Sequence, residues 1–181
     1  DLGLDTEVTA FCPRQDNVEI LCITVRNQQE QPRWLTPIAA VPLYGRSADN
    51  IRDHRNVTSM LHRIWTTENG VMVRPTMSFD ERGHRPNHKV YYVEGFGPEG
   101  QKPEAFYPTV ESFLGEGGTY LHPRAVYEQY PGVKAGSRAE GREAMGAFRF
   151  PAITLAPGQE AHYVLLLLSL IHISEPTRRR G

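Results

Sequence analysis

A chain of 181 residues can bury one full hydrophobic core, and it suits a single domain of ordinary size or a part of a larger protein. Its 20 basic residues stand against 21 acidic ones, a formal net charge of −1, which excludes the basic footprint of a nucleic-acid binder and of a protein held at a membrane surface by its charges. Only Cys12 and Cys22 are present, so a disulfide scaffold is excluded and a reducing compartment is allowed.

The chain opens at Asp1 without a methionine or an apolar leader, so the start reads as cut and no signal peptide is visible. TEVTAFCP is followed by the turn chemistry of PRQDN and then by VEILCITV, residues 18–25, apolar and β-branched at nearly every position. Together these predict a hairpin over 6–12 and 18–26. Its two cysteines lie at opposite ends of the paired strands, too far apart to bond. RWLTPIAAVPLYG, residues 33–45, reads as a third, bent strand, with Pro37 and Pro42 placing it at an edge or a bulge.

Helical and strand patterns compete in IRDHRNVTSMLHRIW. Downstream, Glu68-Asn69-Gly70 precedes the β-rich VMVRPTMSF, and an Asn-Gly pair between two such runs favours a hairpin because both residues tolerate positive φ. Strands are therefore expected over about 56–66 and 71–79, with Val57, Leu61 and the stem of Arg63 on the buried face. The sequon Asn56-Val57-Thr58 carries no weight without a secretory context.

KVYYVEGFG, residues 89–97, alternates as a strand. Residues 95–108 read as a long loop with a short extended piece. TVESFLGEGG predicts a short helix capped by Thr109, with Ser112 in its first turn and Gly115 near its end. The Gly- and Ala-rich 131–147 reads as an exposed loop. FRFPAITLAPGQEAHYVLLLL closes the readable part as two strands turning at Pro157-Gly158. VLLLLSLIHI is too short for a membrane span of roughly 20 residues. LSLIHISEPTRRRG, residues 168–181, resembles a translated sequencing adapter, so the domain is expected over 1–167 with 168–181 as a foreign tail.

No nucleophile elbow, phosphate-cradling glycine loop or zinc-spaced cysteine pair occurs. His84 and His88 have helical metal spacing, but Gly83 and Pro86 argue for a solvated loop instead. No catalytic residue, metal site or cofactor is assigned. Two charged clusters remain: Arg52, Asp53, His54 and Arg55 with His62 downstream, and FDERGHR, which contains Asp80 and Arg82. Guanidinium forks beside carboxylates and imidazoles suit sugar hydroxyls, carboxylates, phosphate or a subunit contact, and they equally suit ion pairs on a wet surface.

The runs SADNIRDHRNVTSMLHRI, TTENGVMVRPTMSFDERGHRPN and EAFYPTVESFLGEGG resemble the amino-terminal β-sandwich of the cellobiose-phosphorylase-like inverting glycoside phosphorylases, formerly glycosyltransferase family 36. NVEILCITVRNQQEQPRWL and PAITLAPGQEAHYVLLL are similar in style, and the resemblance covers about residues 6–167. It implies an all-β antiparallel sandwich, joined in the complete enzyme to a helical barrel that carries the general acid and the phosphate site, usually in a homodimer. The implied partners are a carbohydrate, that barrel and a second copy, with no nucleic acid and no membrane. The implied setting is a bacterial cytoplasm, with inorganic phosphate as co-substrate. Arg52, Asp53, His54, Arg55, His62, Asp80 and Arg82 then become substrate-binding or interface candidates. A stand-alone carbohydrate-binding module is the alternative, and it would present Trp34, Trp65 and Tyr91 to solvent as sugar platforms.

Overall fold

The computed structural model describes residues 3–45, 55–80 and 83–171, and these fold as an antiparallel β-sandwich. The expected first hairpin pairs β1 (Leu4–Phe11) with β2 (Val18–Asn27), in register from Leu4 opposite Asn27 to Phe11 opposite Ile20. Both cysteines are free. On the other side of β2 lies the last strand, Glu160–Ile171, followed across the sheet by Lys89–Phe96, Gly70–Pro75, His62–Thr66 and Arg138–Glu140. Numbered in chain order, with Arg33–Leu35 as β3, Ile38–Pro42 as β4, Met77–Asp80 as β7, Gly83–Pro86 as β8, Ala105–Thr109 as β10, Ala144–Arg149 as β12 and Ile153–Leu155 as β13, the seven-stranded sheet runs β1-β2-β14-β9-β6-β5-β11. The apolar run in β14 explains its central place: Ala161, Tyr163 and Leu165 alternate inward and are each 4% exposed. This strand continues past the expected boundary at 167, pairing Leu168 with Tyr92 through to Ile171 with Lys89.

A three-stranded sheet, β10-β12-β4, packs over β5, β6 and β9. The core between the layers contains Ile64, Val71, Val73, Val93, Phe106 and Phe148, continuing to Phe150, Leu155 and Tyr163. On the far side of the small sheet, Tyr107, Met145 and Ala147 meet Phe113 and Ala125 of two short helices, α2 (Val110–Leu114) and α3 (Arg124–Tyr127). β10 and β12 are thus buried on both faces, while β4 at the edge is half-buried. The expected cap of α2 is present: Thr109 Oγ1 accepts from Ser112 N at 3.0 Å, and Ser112 Oγ accepts from Thr109 N at 3.0 Å.

Four sequence expectations are corrected. Residues 131–147 are not one exposed loop, because they supply β11 and the start of β12, in which residues 144–148 are all buried. The short extended piece expected within 95–108 is most of β10, and it is a core strand buried along its length rather than part of a loop. Small residues in these stretches serve close approach between the layers. A Cβ on Gly95 would lie 2.2 Å from Phe148 Cε2, and one on Gly146 would lie 2.0 Å from Val93 Cγ1. Residues 33–45 are two strands in different sheets, β3 pairing with β13 and β4 with β12.

The fourth correction concerns 56–66. Residues 55–59 form a helical turn, α1 (Arg55–Ser59), tied by Thr58 Oγ1 donating to Arg55 O at 3.2 Å, and the strand begins only at His62. His62, Ile64 and Thr66 face the core, with Leu61 half-buried and Val57 57% exposed, so the expected buried face is inverted. The β5–β6 hairpin forms as expected, yet neither Asn69 nor Gly70 has positive φ. Gly70 is demanded by space instead, since a Cβ there would fall 1.8 Å from the Val93 carbonyl oxygen. Thr67 Oγ1 closes the turn by accepting from Asn69 N at 3.2 Å and Gly70 N at 3.0 Å.

Candidate functional site

The α1–β5 junction and the start of the β7–β8 hairpin lie at the same end of the large sheet. There α1 leads into β5 at His62, which lies opposite Pro75 at the end of β6. Thr76 then donates from both N and Oγ1 to Leu61 O, at 3.0 and 3.1 Å, and directs the chain into the β7–β8 hairpin. Arg52, Asp53, His54 and Arg82 lie outside the described residues, and Asp80 is placed only as the last position of β7, opposite Gly83. His84 is in exposed β8 rather than a loop, and His88 is exposed just before β9.

The first cluster's described members converge on Arg142 and Glu143, immediately before β12. Arg55 Nε donates to both carboxylate oxygens of Glu143, at 3.1 and 2.9 Å, and its terminal nitrogen lies 2.8 Å from Oε2. Such a fork fixes direction as well as charge. Hydrogen bonding to Glu143, then the carboxylate's charge, raises the Arg55 pKa above its ordinary value against a smaller desolvation effect. His62 is 1% exposed and donates Nδ1–H to Arg142 O at 3.2 Å, while Gly141 N donates to His62 O at 3.0 Å. His62 therefore locks the 141–143 segment against β5 from below, and Arg55 grips it from above. Arg142 itself reaches Glu111 of α2 at 2.8 Å.

Beside this network the surface is aromatic. Tyr44 and Tyr120, 47% and 51% exposed, lie within the field of Arg55 and Glu143, and burial of part of the Tyr120 ring raises its phenol pKa despite an opposing hydrogen bond from Arg55. Leu121 next to it is 92% exposed. His122 stacks on Tyr127 with ring centroids 3.8 Å apart, and Arg124 sits 5.3 Å from the Tyr130 ring while pairing with Glu128 at 2.6 Å. The buried Tyr107 hydroxyl donates to Tyr130 O at 2.7 Å, anchoring the segment to the small sheet. Exposed apolar and aromatic groups thus lie beside forked ion pairs on this face. Sequence reading passed over Tyr120, Tyr127 and Tyr130, although three tyrosines in TYLHPRAVYEQY were the available signal. Glu143 had no local signal, since only the fold brings it to Arg55.

The three aromatics expected of a sugar-binding module form no common platform. Trp34 is 63% exposed on β3, Trp65 lies on the outer face of β5, and Tyr91 turns inward against the core. Among the described residues no three His, Cys, Asp or Glu side chains gather as metal ligands, and no helix is long and apolar enough to cross a membrane.

No curated protein matches the chain. One family does, described as Glycosyl hydrolase 94, supersandwich domain, over residues 1–178. Its description agrees with the two-layer antiparallel fold, and the chain belongs to the glycosyl hydrolase 94 supersandwich domain family.

Proposed function

We propose that the chain is the β-sandwich of a cellobiose-phosphorylase-like inverting enzyme, which cleaves a β-linked disaccharide or oligosaccharide with inorganic phosphate and releases a sugar 1-phosphate. In such a reaction one carboxylic acid protonates the leaving oxygen while phosphate attacks the anomeric carbon from the opposite face. The family assignment supports a role in carbohydrate turnover. The sandwich takes no part in bond breaking; it offers its α1 end as a docking rim to a helical catalytic barrel and to a second copy in a homodimer, in a bacterial cytoplasm. The observation that carries this division of labour is the Arg55–Glu143 fork, held by buried His62 and bordered by exposed Tyr44, Tyr120 and Leu121. Arg52, Asp53, His54, Asp80 and Arg82 are proposed as substrate or interface residues under the same reading.

Two measurements test the reading. The 181-residue chain, incubated with cellobiose and phosphate, should release no sugar 1-phosphate, and robust turnover would overturn the non-catalytic role. In the complete enzyme, Arg55→Ala combined with Tyr120→Ala should lower phosphorolysis or dimer formation by about tenfold, roughly 1.4 kcal/mol. Full activity and an intact dimer in that variant would remove the rim from the mechanism.

A further inference from the structure

On the outer face of the large sheet, β5, β6 and β11 border an open pocket of about 330 Å³ lined by Arg63, Trp65, Arg74, Arg138 and Glu140. Strand alternation brings these side chains together: His62, Ile64 and Thr66 point to the core, so Arg63 and Trp65 point out. Arg63 pairs directly with Arg74 across the β5–β6 ladder, and Trp65 pairs with Met72 on one side and Arg138 on the other. Like charges placed directly opposite on one sheet face destabilise it. Glu140 offsets only part of this repulsion, lying 3.5 Å from Arg63 Nε with its side chain 70% exposed. Arg63 is further held by the carbonyls of Met60 and His62, at 3.4 and 3.1 Å. Among the described residues, Arg74 and Arg138 have no carboxylate within ion-pair distance.

We propose that this pocket binds a phosphorylated monosaccharide. Three guanidiniums facing one carboxylate leave two positive charges, which match a phosphomonoester dianion better than a single carboxylate. The half-exposed Trp65 indole offers an apolar face to a sugar ring, and Glu140 offers an acceptor to its hydroxyls. The volume lies at the lower end of the range for small-ligand sites, roughly 300 to 1,000 Å³. The three strands are ladder-paired, so the donors are positioned before the ligand arrives. The choice of a sugar phosphate rests on the reaction proposed above, whereas direct binding to the sandwich tests the site without turnover.

Trp34 and Trp65 are the chain's two tryptophans, so Trp34→Phe leaves Trp65 as the sole indole reporter. In that variant, glucose 1-phosphate should change Trp65 fluorescence saturably, glucose should not, and inorganic phosphate and glucuronate should each bind at least about tenfold more weakly. Adding Arg74→Gln and Arg138→Gln should weaken glucose 1-phosphate binding by at least about tenfold with the circular dichroism spectrum unchanged; if the pair unfolds the chain, Arg138→Gln alone at its exposed position carries the same test. Absence of a saturable change, equal affinity for inorganic phosphate and glucose 1-phosphate, or unaltered binding in the arginine variant would each overturn the proposal.

Discussion

Tyr163 shows what a single buried polar atom does in this core. It is 4% exposed, it packs on Phe150 with ring centroids 5.0 Å apart, and its hydroxyl finds no protein partner among the described residues. Burial pushes its phenol pKa up to about 12. An exposed tyrosine in the unfolded chain titrates near 10. Between about pH 10 and 12 the folded protein therefore keeps a proton that the unfolded chain has released, so stability is complete below about pH 10 and falls as pH rises through that window. Tyr163→Phe removes both the unpaired hydroxyl and this titration. Urea melts should show the variant more stable by about 1 kcal/mol at pH 8, with a shallower loss at pH 11. A less stable variant at pH 8 would mean the hydroxyl is satisfied in solution. Asn27 is the opposite case. It is fully buried, donating to Gln31 O and Leu155 O at 2.9 and 3.0 Å and accepting from Gln29 N at 2.9 Å, so it joins the end of β2 to the β3–β13 pair.

At the scale of elements, β5 shows why period alone misassigned a face. VTSMLHRIWT supports alternation in either phase, and hydrophobicity favoured the phase with Val57 and Leu61 inside. The fold chose the other, because Ile64 pairs with Val73 and lies under Phe106 and Phe148 in the core, while His62 finds a carbonyl partner that makes its burial tolerable. A one-residue shift of phase exchanges the two faces completely. Ile64→Ala should consequently cost about 2 to 5 kcal/mol, whereas Leu61→Ala, truncating a half-buried side chain, should cost less than about 1.5 kcal/mol, in the lower range for point mutants. Paired denaturant melts check the order, and a larger loss for Leu61→Ala would restore the original phase. The turns divide in the same way. Pro157-Gly158 behaves as its composition dictates, with Gly158 at φ 73° and Gln159 N donating to Ala156 O at 3.0 Å. Asn69-Gly70 reaches a hairpin for a reason its composition does not contain.

For the whole molecule, β14 is the strand on which the sheet depends, since it joins the β1–β2 hairpin to β9 and all that follows. Residues Leu168 to Ile171 extend its pairing with β9, although they were expected to fall in a foreign tail. Truncation after Leu167 should lower the thermal midpoint by about 3 °C or more, because a loss of 1 kcal/mol corresponds to roughly 2 to 4 °C at this size. A midpoint unchanged within a degree would show those four pairs to be energetically idle. The small sheet depends on the large one through reciprocal vacancies: Gly95 receives Phe148, and Gly146 receives Val93. Neither layer could tolerate a side chain at those positions without moving the other.

Local chemistry in the sequence determined the all-β class, the β1–β2 hairpin, the Thr109 cap and the final turn, because each depends on residues within a few positions of one another. The resemblance carried by the charged runs also led to a sandwich domain of a carbohydrate-active family, and the match to the glycosyl hydrolase 94 supersandwich domain bears it out at that level. Tertiary structure alone decided the roles of 95–108 and 131–147, whose glycines and alanines are small because two layers press on them, a cause absent from their neighbours in the chain. It alone brought Glu143 to Arg55 across 88 positions and set three arginines around Trp65. Long-range partners of this kind leave no periodic trace, since the pairing is fixed by sheet order and register, which the closing of the whole sandwich selects.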